Sequence, residues 1–597
     1  MCGYLGYIST KKIETNHLLK CNKLIECRGP DNLKVEEFSD NYLEYQLIFN
    51  RLSILDLTPE ANQPMFNENQ SISVMFNGEI YNHKSLRNYL EKKEIFFKTS
   101  HSDTEVVLRG LENEGLDFIK KLEGQFAITF IDKNKKKIYL IRDRVGQKPL
   151  FYSINKQFLA FGSNLKSVAN MLQIFELDKD AINEYFELGV VTAPRTILKN
   201  IYKVNPGEYL EIHFNNDSFK VSKDFYWQPQ EFLSNDEFKI DEFMEIYSES
   251  ISKRINADVP IANYLSGGID SSSIIKNLYD NSHSVNTFNV GFESKKYDES
   301  FWANEVAQKY KTNHQEVKIS SDISIKDIIS SIMSLDEPYA DPSVVPSFKI
   351  ANLISQQYKV AISGDGGDEL LGGYTRISNS LNNNKKFSTI YKTLYKLQPS
   401  FIGTGASLLS KVKNFNISYS ASLFDEKLVS YLNISSNKEN FQNDLIKVSD
   451  SSYKNMIFAE YKLYLPEMMM LKVDRTSMAN SLEVRSPFVD NKLIEYILAH
   501  DSSYYDYKNP KKILKDYLLQ DFSEQFITRP KMGFVFDLEY WVYSNFNFIK
   551  EIIESGDIVL NLNKNYLRDF KIVKSRINAN RIWKAFVLEY FVKNLKV

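Results

Sequence analysis

The chain has few cysteines, almost no net charge and no long apolar run. Its three cysteines, Cys2, Cys21 and Cys27, are too few for a disulfide framework in 597 residues, and no fourth ligand stands at a zinc-site spacing. A formal net charge of −2 gives no basic excess for a nucleic-acid partner. The uncharged stretch over residues 397–410 contains Pro399 and is too short to span a bilayer. These absences predict a reduced, cytoplasmic enzyme without a membrane span.

Length and composition describe a globular protein of two or three domains. The hydrophobic share of 43% is ordinary for such a protein. The first residues lack a charged segment followed by a long apolar stretch, so we expect no secretory signal. We expect one domain over residues 1–223, a linker over 224–238 and a second domain over 239–597.

The N-terminal part mixes short strands with helices. Residues 72–78 and 125–132 alternate or run apolar as sheet strands do, and residues 137–144 follow a basic turn as a hairpin partner. Ser102 or Asp103 precedes a periodic apolar stretch, which predicts a helix.

Cys2 directly follows Met1. Removal of Met1, which a small second side chain permits, would place a free α-amine beside the thiol. N-terminal nucleophile enzymes use that amine, with a pKa of about 8, as the general base of the nucleophile. A cysteine at position two also occurs by chance, so other residues must support this hypothesis.

Five further residues offer that support. Asn77 and Gly78 follow a predicted strand and can present an amide side chain and a backbone N–H to an oxyanion. Arg51 suits an α-carboxylate, and Glu79 and Asp103 suit an α-ammonium. Each also has a plain alternative: a surface cation, a hairpin turn or a helix cap.

The N-terminal motifs MCG, RLSILDL, FNGEIYN, SDTEV and RDRVGQKPLFY together resemble the class II glutamine amidotransferases, specifically the asparagine synthetase family. The resemblance implies an αββα sandwich of the N-terminal nucleophile type with stacked antiparallel sheets. It implies that Cys2 is the nucleophile and that Asn77 and Gly78 form the oxyanion hole. The glutamine-binding residues would be Arg51, Asn77, Glu79 and Asp103.

The sequence SGGIDSS at residues 266–272 lies between a predicted buried strand and a predicted helix. Backbone N–H groups at such a helix start point toward bound phosphate. The loop has neither the spacing nor the lysine of a Walker A motif. It resembles instead the pyrophosphate loop of the N-type ATP pyrophosphatases, which cleave ATP to AMP and pyrophosphate.

A second glycine-rich loop, SGDGGDELLGGY at residues 363–374, follows another predicted strand. Its acids Asp365, Asp368 and Glu369 are costly to place together unless a cation lies among them, and Mg²⁺ carried by pyrophosphate is the simplest one. A solvated acidic loop is the plain alternative.

The resemblance extends to the C-terminal part, as an adenine-nucleotide-hydrolase-like α/β domain with a parallel sheet and many helices. It implies that Asp270 and Asp368 hold Mg²⁺, and that Lys531 in TRPKMGF neutralises charge at the α-phosphate of ATP. The residues implied to contact the nucleotide or pyrophosphate are Leu265, Ser266, Gly267, Gly268, Asp270, Ser271, Val290, Gly291, Ser363 and Gly364.

The family's reaction has two halves. Glutamine is hydrolysed at Cys2, and the ammonia passes through a buried channel to an acyl-adenylate made from ATP and a carboxylate. We expect L-aspartate as that carboxylate, ATP and Mg²⁺ as cofactors, and glutamine as amido donor. A homodimer is possible, as in related enzymes. We expect Asp365 to be a catalytic residue of the second half.

The acceptor is where the sequence departs from the family. The aspartate-specific bacterial branch carries glutamate at the position of Asp365, and a nearby arginine of that branch is missing from residues 336–348. The stretch 376–454 is longer and is expected to be a helical insertion. A larger acceptor, such as a uronic-acid sugar or a cell-envelope precursor, is therefore the alternative. A non-catalytic descendant is a remote one, because Cys2, residues 266–272 and Lys531 are intact.

Overall fold

The computed structural model describes residues 2–40, 42–215, 218–293, 298–319, 323–375, 426–435, 452–501, 508–529 and 536–596, with the single positions 377, 397 and 399. Most of the expected insertion at 376–454 and the whole of the stretch 530–535 around Lys531 lie outside these residues.

Two antiparallel sheets form the N-terminal region, residues 2–225. One has the strand order β10-β8-β9-β1-β3-β2 and the other β12-β11-β7-β6-β5-β4. The strands of the first sheet are β1 (Gly3–Ser9), β2 (Asn32–Ser39), β3 (Glu44–Arg51), β8 (Phe151–Ile154), β9 (Phe158–Gly162) and β10 (Tyr202–Lys203). Those of the second are β4 (Met65–Phe66), β5 (Ile72–Ile80), β6 (Gly124–Asp132), β7 (Lys137–Arg142), β11 (Glu208–Asn215) and β12 (Ser218–Phe225).

Side chains that alternate along these strands fill two kinds of core. Tyr4 on β1 and Met75 on β5 lie in the cluster between the sheets, whereas their neighbours Leu5 and Phe76 lie in the outer clusters with helical residues. The N-terminal region also contains the helices α1 (Thr15–Asn22), α2 (His83–Glu91), α3 (Asp103–Glu114), α4 (Leu165–Leu172) and α5 (Lys179–Leu188). The predicted αββα sandwich is confirmed.

A parallel sheet lies at the centre of the C-terminal region, residues 236–596, with the order β16-β15-β14-β17-β18. The chain passes from β14 outward through β15 and β16, then returns to the other side of β14 with β17. This reversal leaves a crevice at the carboxyl ends of β14 and β17, where α/β sheets bind ligands. The strands are β14 (Ile261–Tyr264), β15 (Asn286–Phe292), β16 (Asn313–Ile319), β17 (Val360–Ile362) and β18 (Glu483–Arg485).

Helices surround this sheet, as predicted, and the short strands β13 (Asp236–Glu237) and β19 (His500–Asp501) pair beside it. Within the described parts of the chain, none of the helices is both long and apolar enough to cross a membrane. The first six are α6 (Ile240–Arg254), α7 (Ile269–Asp280), α8 (Ser300–Lys309), α9 (Ile325–Met333), α10 (Val344–Ser355) and α11 (Gly367–Leu371). Later helices span Glu426–Leu432, Ser452–Ala459, Leu471–Met478, Asn491–Ala499, Lys512–Leu518, Glu524–Thr528, Leu538–Ser544, Phe546–Glu554, Val559–Leu562, Tyr566–Ile572 and Arg576–Lys593, and a π-helix spans Glu460–Met470.

A buried charge network joins the two regions. Arg28 donates from Nη1 and Nη2 to the two carboxylate oxygens of Asp474, at 2.9 and 3.2 Å, and Lys148 lies 3.4 Å from the same carboxylate. All three side chains are buried. Burial alone would raise the pKa of Asp474, but Arg28, Lys148 and Arg475 outweigh it and lower that pKa. The boundary therefore depends on Asp474 being ionised.

We predict that Asp474→Asn lowers the free energy of unfolding by about 3–5 kcal/mol, because it leaves two buried cations without their counter-ion. Denaturation by urea measures the change. The matched control is Asp117→Asn, which removes an exposed partner of Lys120 and should cost less than about 1 kcal/mol. Equal losses in the two variants would contradict a structural role for the buried network.

Candidate functional site

A cavity in the N-terminal region opens at Cys2, and we call it the Cys2 cavity. Five of the six residues predicted for this half line it: Cys2, Arg51, Gly78, Glu79 and Asp103. Its other lining residues are Leu52, Ile54, Leu55, Ala61, Gln63, Phe76, Ser102, Thr104 and Glu483.

Asn77, the sixth predicted residue, contacts Cys2 directly. The Cys2 backbone N–H donates to Asn77 Oδ1 at 3.1 Å. The amide Nδ2 of Asn77 is buried and has no hydrogen-bond partner among the described residues. An unused buried donor is costly, and beside a nucleophile it is suited to an oxyanion.

Burial controls the chemistry of Cys2, whose side chain is only 7% exposed. Desolvation raises the pKa of the thiol, although the Leu52 backbone N–H and the charge of Arg51 oppose this. The thiol therefore needs a base close by. The α-amine that removal of Met1 would free on Cys2 is such a base.

The strand β5 places Gly78 against β6 with no room for a side chain. A Cβ at Gly78 would lie 2.0 Å from the carbonyl oxygen of Gln125. Arg51, at the end of β3, is oriented by the chain that follows it. Its guanidinium donates to the carbonyl oxygens of Leu55, Asp56 and Thr58 and to Asn62 Oδ1.

Two carboxylates, Glu79 and Asp103, are among the lining residues of the cavity. Burial raises the pKa of Glu79 well above its ordinary value, even though Arg485 donates to it at 3.0 Å. Burial also raises the pKa of Asp103, which accepts from the Ile80 backbone N–H at 3.1 Å. A bound cation, such as an α-ammonium, would favour the ionised form of both.

In the C-terminal region, the chain turns from β14 to α7 through residues 265–268. Gly267 has φ 76°, and a Cβ there would lie 2.6 Å from the Ala303 nitrogen, so only glycine is suited to the turn. Ser266 Oγ accepts from the Gly268 N–H at 3.2 Å and lies 3.1 Å from Ser271 Oγ. The turn thus leads into the amino terminus of a 12-residue helix.

The other predicted nucleotide residues lie at the carboxyl ends of neighbouring strands. Leu265 follows β14, Val290 and Gly291 are near the end of β15, and Ser363 and Gly364 follow β17. The two glycine-rich loops are in contact, because a Cβ at Gly364 would lie only 3.0 Å from Asp270 Cβ. The structure thus brings both loops to the crevice at the reversal of strand order.

Asp270 and Asp368, the predicted metal pair, contact the same ammonium. Lys511 Nζ donates to Asp270 Oδ2 and lies 2.5 Å from Asp368 Oδ1. Among the described residues, no group of three His, Cys, Asp or Glu side chains could hold a metal. Two carboxylates are nevertheless enough for Mg²⁺ that arrives with substrate phosphates, so the pair suits that ion.

Asp365 immediately follows Gly364, and its carbonyl oxygen accepts from Ser486 Oγ. Lys531, the remaining predicted catalytic residue, lies outside the described residues.

Comparison with known proteins identifies the family. Residues 242–584 match the asparagine synthase family, and residues 1–227 match the glutamine amidotransferase domain. The chain belongs to the asparagine synthase family. Like the family, it is an ATP-dependent ligase that uses glutamine.

Two relatives from Bacillus subtilis (strain 168) cover most of this family member. Glutamine-hydrolyzing asparagine synthetase 1 is 29% identical over 98% of this chain and 96% of its own length. Glutamine-hydrolyzing asparagine synthetase 2 is 28% identical over 92% of this chain and 74% of its own length.

Sequence reasoning missed two residues of this ligase's sites. Glu483 of β18 lines the Cys2 cavity from the C-terminal region. Burial would raise the pKa of Glu483, but positive charges including Arg485 lower it to about 2. The two charged residues Glu483 and Arg485 flank the apolar Val484, and this alternation was the sequence pattern that could have indicated a strand with functional side chains. The second missed residue is Lys511. No sequence pattern pointed to it, except that two neighbouring carboxylates need a cation.

We predict that Lys511→Met lowers the melting temperature of the ligase by at least about 3 °C in EDTA, because Asp270 and Asp368 then face each other without a cation. Magnesium chloride should recover most of this loss and should stabilise the variant more than the wild type. Differential scanning calorimetry measures both effects. Lys515→Met, in the helix that Lys511 precedes, is the control and should show no such magnesium response.

Proposed function

We propose that this ligase transfers the amide nitrogen of glutamine to L-aspartate through an aspartyl-adenylate, giving asparagine, glutamate, AMP and pyrophosphate. The observation that carries the proposal is the position of the strand β18. Within three residues, this strand contacts both the Cys2 cavity and the nucleotide crevice. Glu483 lines the Cys2 cavity, and the Arg485 carbonyl accepts from the Ser363 N–H of the nucleotide loop at 2.9 Å. One rigid element thus joins a thiol site to a nucleotide crevice.

In the glutaminase half, the freed α-amine of Cys2 takes the thiol proton and the sulfur attacks the side-chain amide carbon of glutamine. Asn77 Nδ2 and the Gly78 N–H stabilise the oxyanion. The amine returns its proton to the leaving nitrogen, ammonia departs, and water hydrolyses the thioester to glutamate. Arg51 holds the α-carboxylate of glutamine, while Glu79 and Asp103 hold its α-ammonium.

In the synthetase half, the acceptor carboxylate attacks the α-phosphorus of ATP and pyrophosphate leaves. Residues 265–271 and the Ser363–Gly364 turn hold the nucleotide, and Asp270 with Asp368 would hold Mg²⁺. When bound, Mg²⁺ neutralises charge on the phosphates. Ammonia then attacks the acyl carbon and AMP leaves. A role for Lys531 at the α-phosphate stays a prediction.

The ammonia must remain neutral between the sites, because ammonium has no lone pair with which to attack. A buried passage along the boundary of the two regions would keep it from water. Arg485 pairs with Glu79 at 3.0 Å and with Glu483 at 2.6 Å, and this buried contact between the regions supports such a boundary. A homodimer, a cytoplasmic location and the domain boundaries at 223 and 239 also stay predictions.

The acceptor is tested by measuring pyrophosphate release with MgATP and glutamine, with and without L-aspartate, while asparagine is quantified. We predict aspartate-dependent pyrophosphate release with an equal amount of asparagine. Glutamine hydrolysis without aspartate-dependent pyrophosphate would contradict aspartate as acceptor. It would favour the larger uronic-acid or cell-envelope carboxylates, which are then tested in the same assay.

The nucleophile is tested by Cys2→Ala. We predict that glutamine-dependent glutamate release falls at least about 10³-fold, because no thiol remains to form the thioester. Ammonium chloride in place of glutamine should still support pyrophosphate release at close to the wild-type rate. Cys27→Ala is the control and should retain both activities. A Cys2→Ala enzyme that still hydrolyses glutamine would contradict the assignment.

A further inference from the structure

The loop over residues 52–58 forms one wall of the Cys2 cavity. Leu52, Ile54 and Leu55 line the cavity. The Leu52 backbone N–H also opposes the burial that raises the pKa of the Cys2 thiol. The position of this 52–58 loop therefore determines the shape of the cavity beside the nucleophile.

The same loop packs against the C-terminal region. Leu52 and Ile54 form a buried apolar cluster with Val360 of β17 and Met478. Three partly buried residues, at or just before the start of β14, pack against this cluster: Ala257, Val259 and Ile261. One face of the cavity wall thus lies on the strands that lead to the nucleotide loops.

Asp258 makes the polar contacts of this junction. Its Oδ2 accepts from the Asp56 backbone N–H at 2.7 Å and from His101 Nε2 at 2.6 Å. Its own backbone N–H donates to the Ile54 carbonyl at 3.0 Å. One residue of the C-terminal region therefore holds the 52–58 loop at two points.

His101 connects Asp258 to the other side of the cavity. It immediately precedes Ser102 and Asp103, which both line the cavity. With Nε2–H donating to Asp258, the other ring nitrogen accepts from Ser100 Oγ at 2.6 Å. Asp258 thus ties together two walls that are far apart in sequence.

The loop needs such a restraint at Asp56. This residue is buried and has φ 51°, a left-handed conformation that is unfavourable for a non-glycine residue. The carbonyl oxygens of Leu55, Asp56 and Thr58 are also what orients the Arg51 guanidinium. A loop that moved would take the hydrogen-bond partners of Arg51 with it.

We propose that Asp258 is a positioning residue of the glutaminase half, supplied by the synthetase half of the chain. It holds the 52–58 loop, and through it Arg51, in the arrangement that binds glutamine. This inference rests on the proposed glutamine site. Because the Asp258 side chain is 34% exposed, its loss should change glutamine recognition more than overall stability.

Asp258→Ala in the full chain tests the proposal, with glutamate release measured over a range of glutamine concentrations. We expect KM for glutamine to rise about tenfold, the loss of roughly one charged hydrogen bond, with kcat within about twofold of the wild type. Asp258→Asn keeps one acceptor oxygen and should give an intermediate KM. Lys253→Met is the control, because it removes another ion pair between the two regions, with Glu123 at 2.7 Å. An equal rise in KM for glutamine in this variant would overturn the proposal.

A second measurement separates positioning from misfolding. The rate of Cys2 alkylation is compared between a diazoketone analogue of glutamine, which needs the recognition site, and iodoacetamide, which does not. In Asp258→Ala, only the analogue should react more slowly, by about tenfold at subsaturating concentration. An equal slowing of both reagents, or an unchanged rate for the analogue, would overturn the proposal.

The outcome also distinguishes the proposal from the function on which it rests. A wild-type enzyme that releases no glutamate contradicts the proposed function, and the inference with it. A wild-type enzyme that releases glutamate, with an unchanged KM in Asp258→Ala, overturns the inference alone.

Discussion

Each of the two sites concentrates carboxylates that burial makes costly to ionise. Glu79, Asp103 and Glu483 line one cavity, and Asp270 and Asp368 lie together in the nucleotide crevice. A buried negative charge persists only beside a cation. The protein supplies Arg485 at the first site and Lys511 at the second. The remaining positive charge would come from the substrates, as the α-ammonium of glutamine and the Mg²⁺ of ATP, so charge balance alone makes both sites selective.

The boundary between the regions obeys the same constraint. Asp474 is ionised because Arg28 and Lys148, from the other region, surround it. These buried charges are therefore balanced only when both regions are folded and in contact. Exclusion of water from the boundary is also what the transfer of neutral ammonia requires, since water would protonate and dilute it. Stability and the proposed transfer thus depend on the same buried contacts.

The sequence predicted features that a short stretch of chain determines. The glycines of the turn at residues 265–268 directly follow an apolar stretch and directly precede a helical one. The sequence alone therefore places this turn between β14 and α7. The αββα sandwich followed from alternating strands and the family motifs. The contacts of Arg485, Asp258 and Lys511 could not be predicted, because their partners Glu79, Asp56 and Asp270 lie 406, 202 and 241 residues away along the chain. No local periodicity encodes such pairings, and the catalytic roles of the predicted site residues stay predictions.

The strands β14, β17 and β18 give these distant contacts a common origin. Val360 and Ile261, at the amino-terminal ends of β17 and β14, pack with Leu52 and Ile54 of the cavity wall, and Glu483 of β18 lines the cavity itself. Their carboxyl ends lead to the loops of the nucleotide crevice. A strand in a packed sheet does not stretch, so a shift at one end is transmitted to the other. The parallel sheet therefore does more than carry the nucleotide loops: it is also the support on which the glutamine cavity is built.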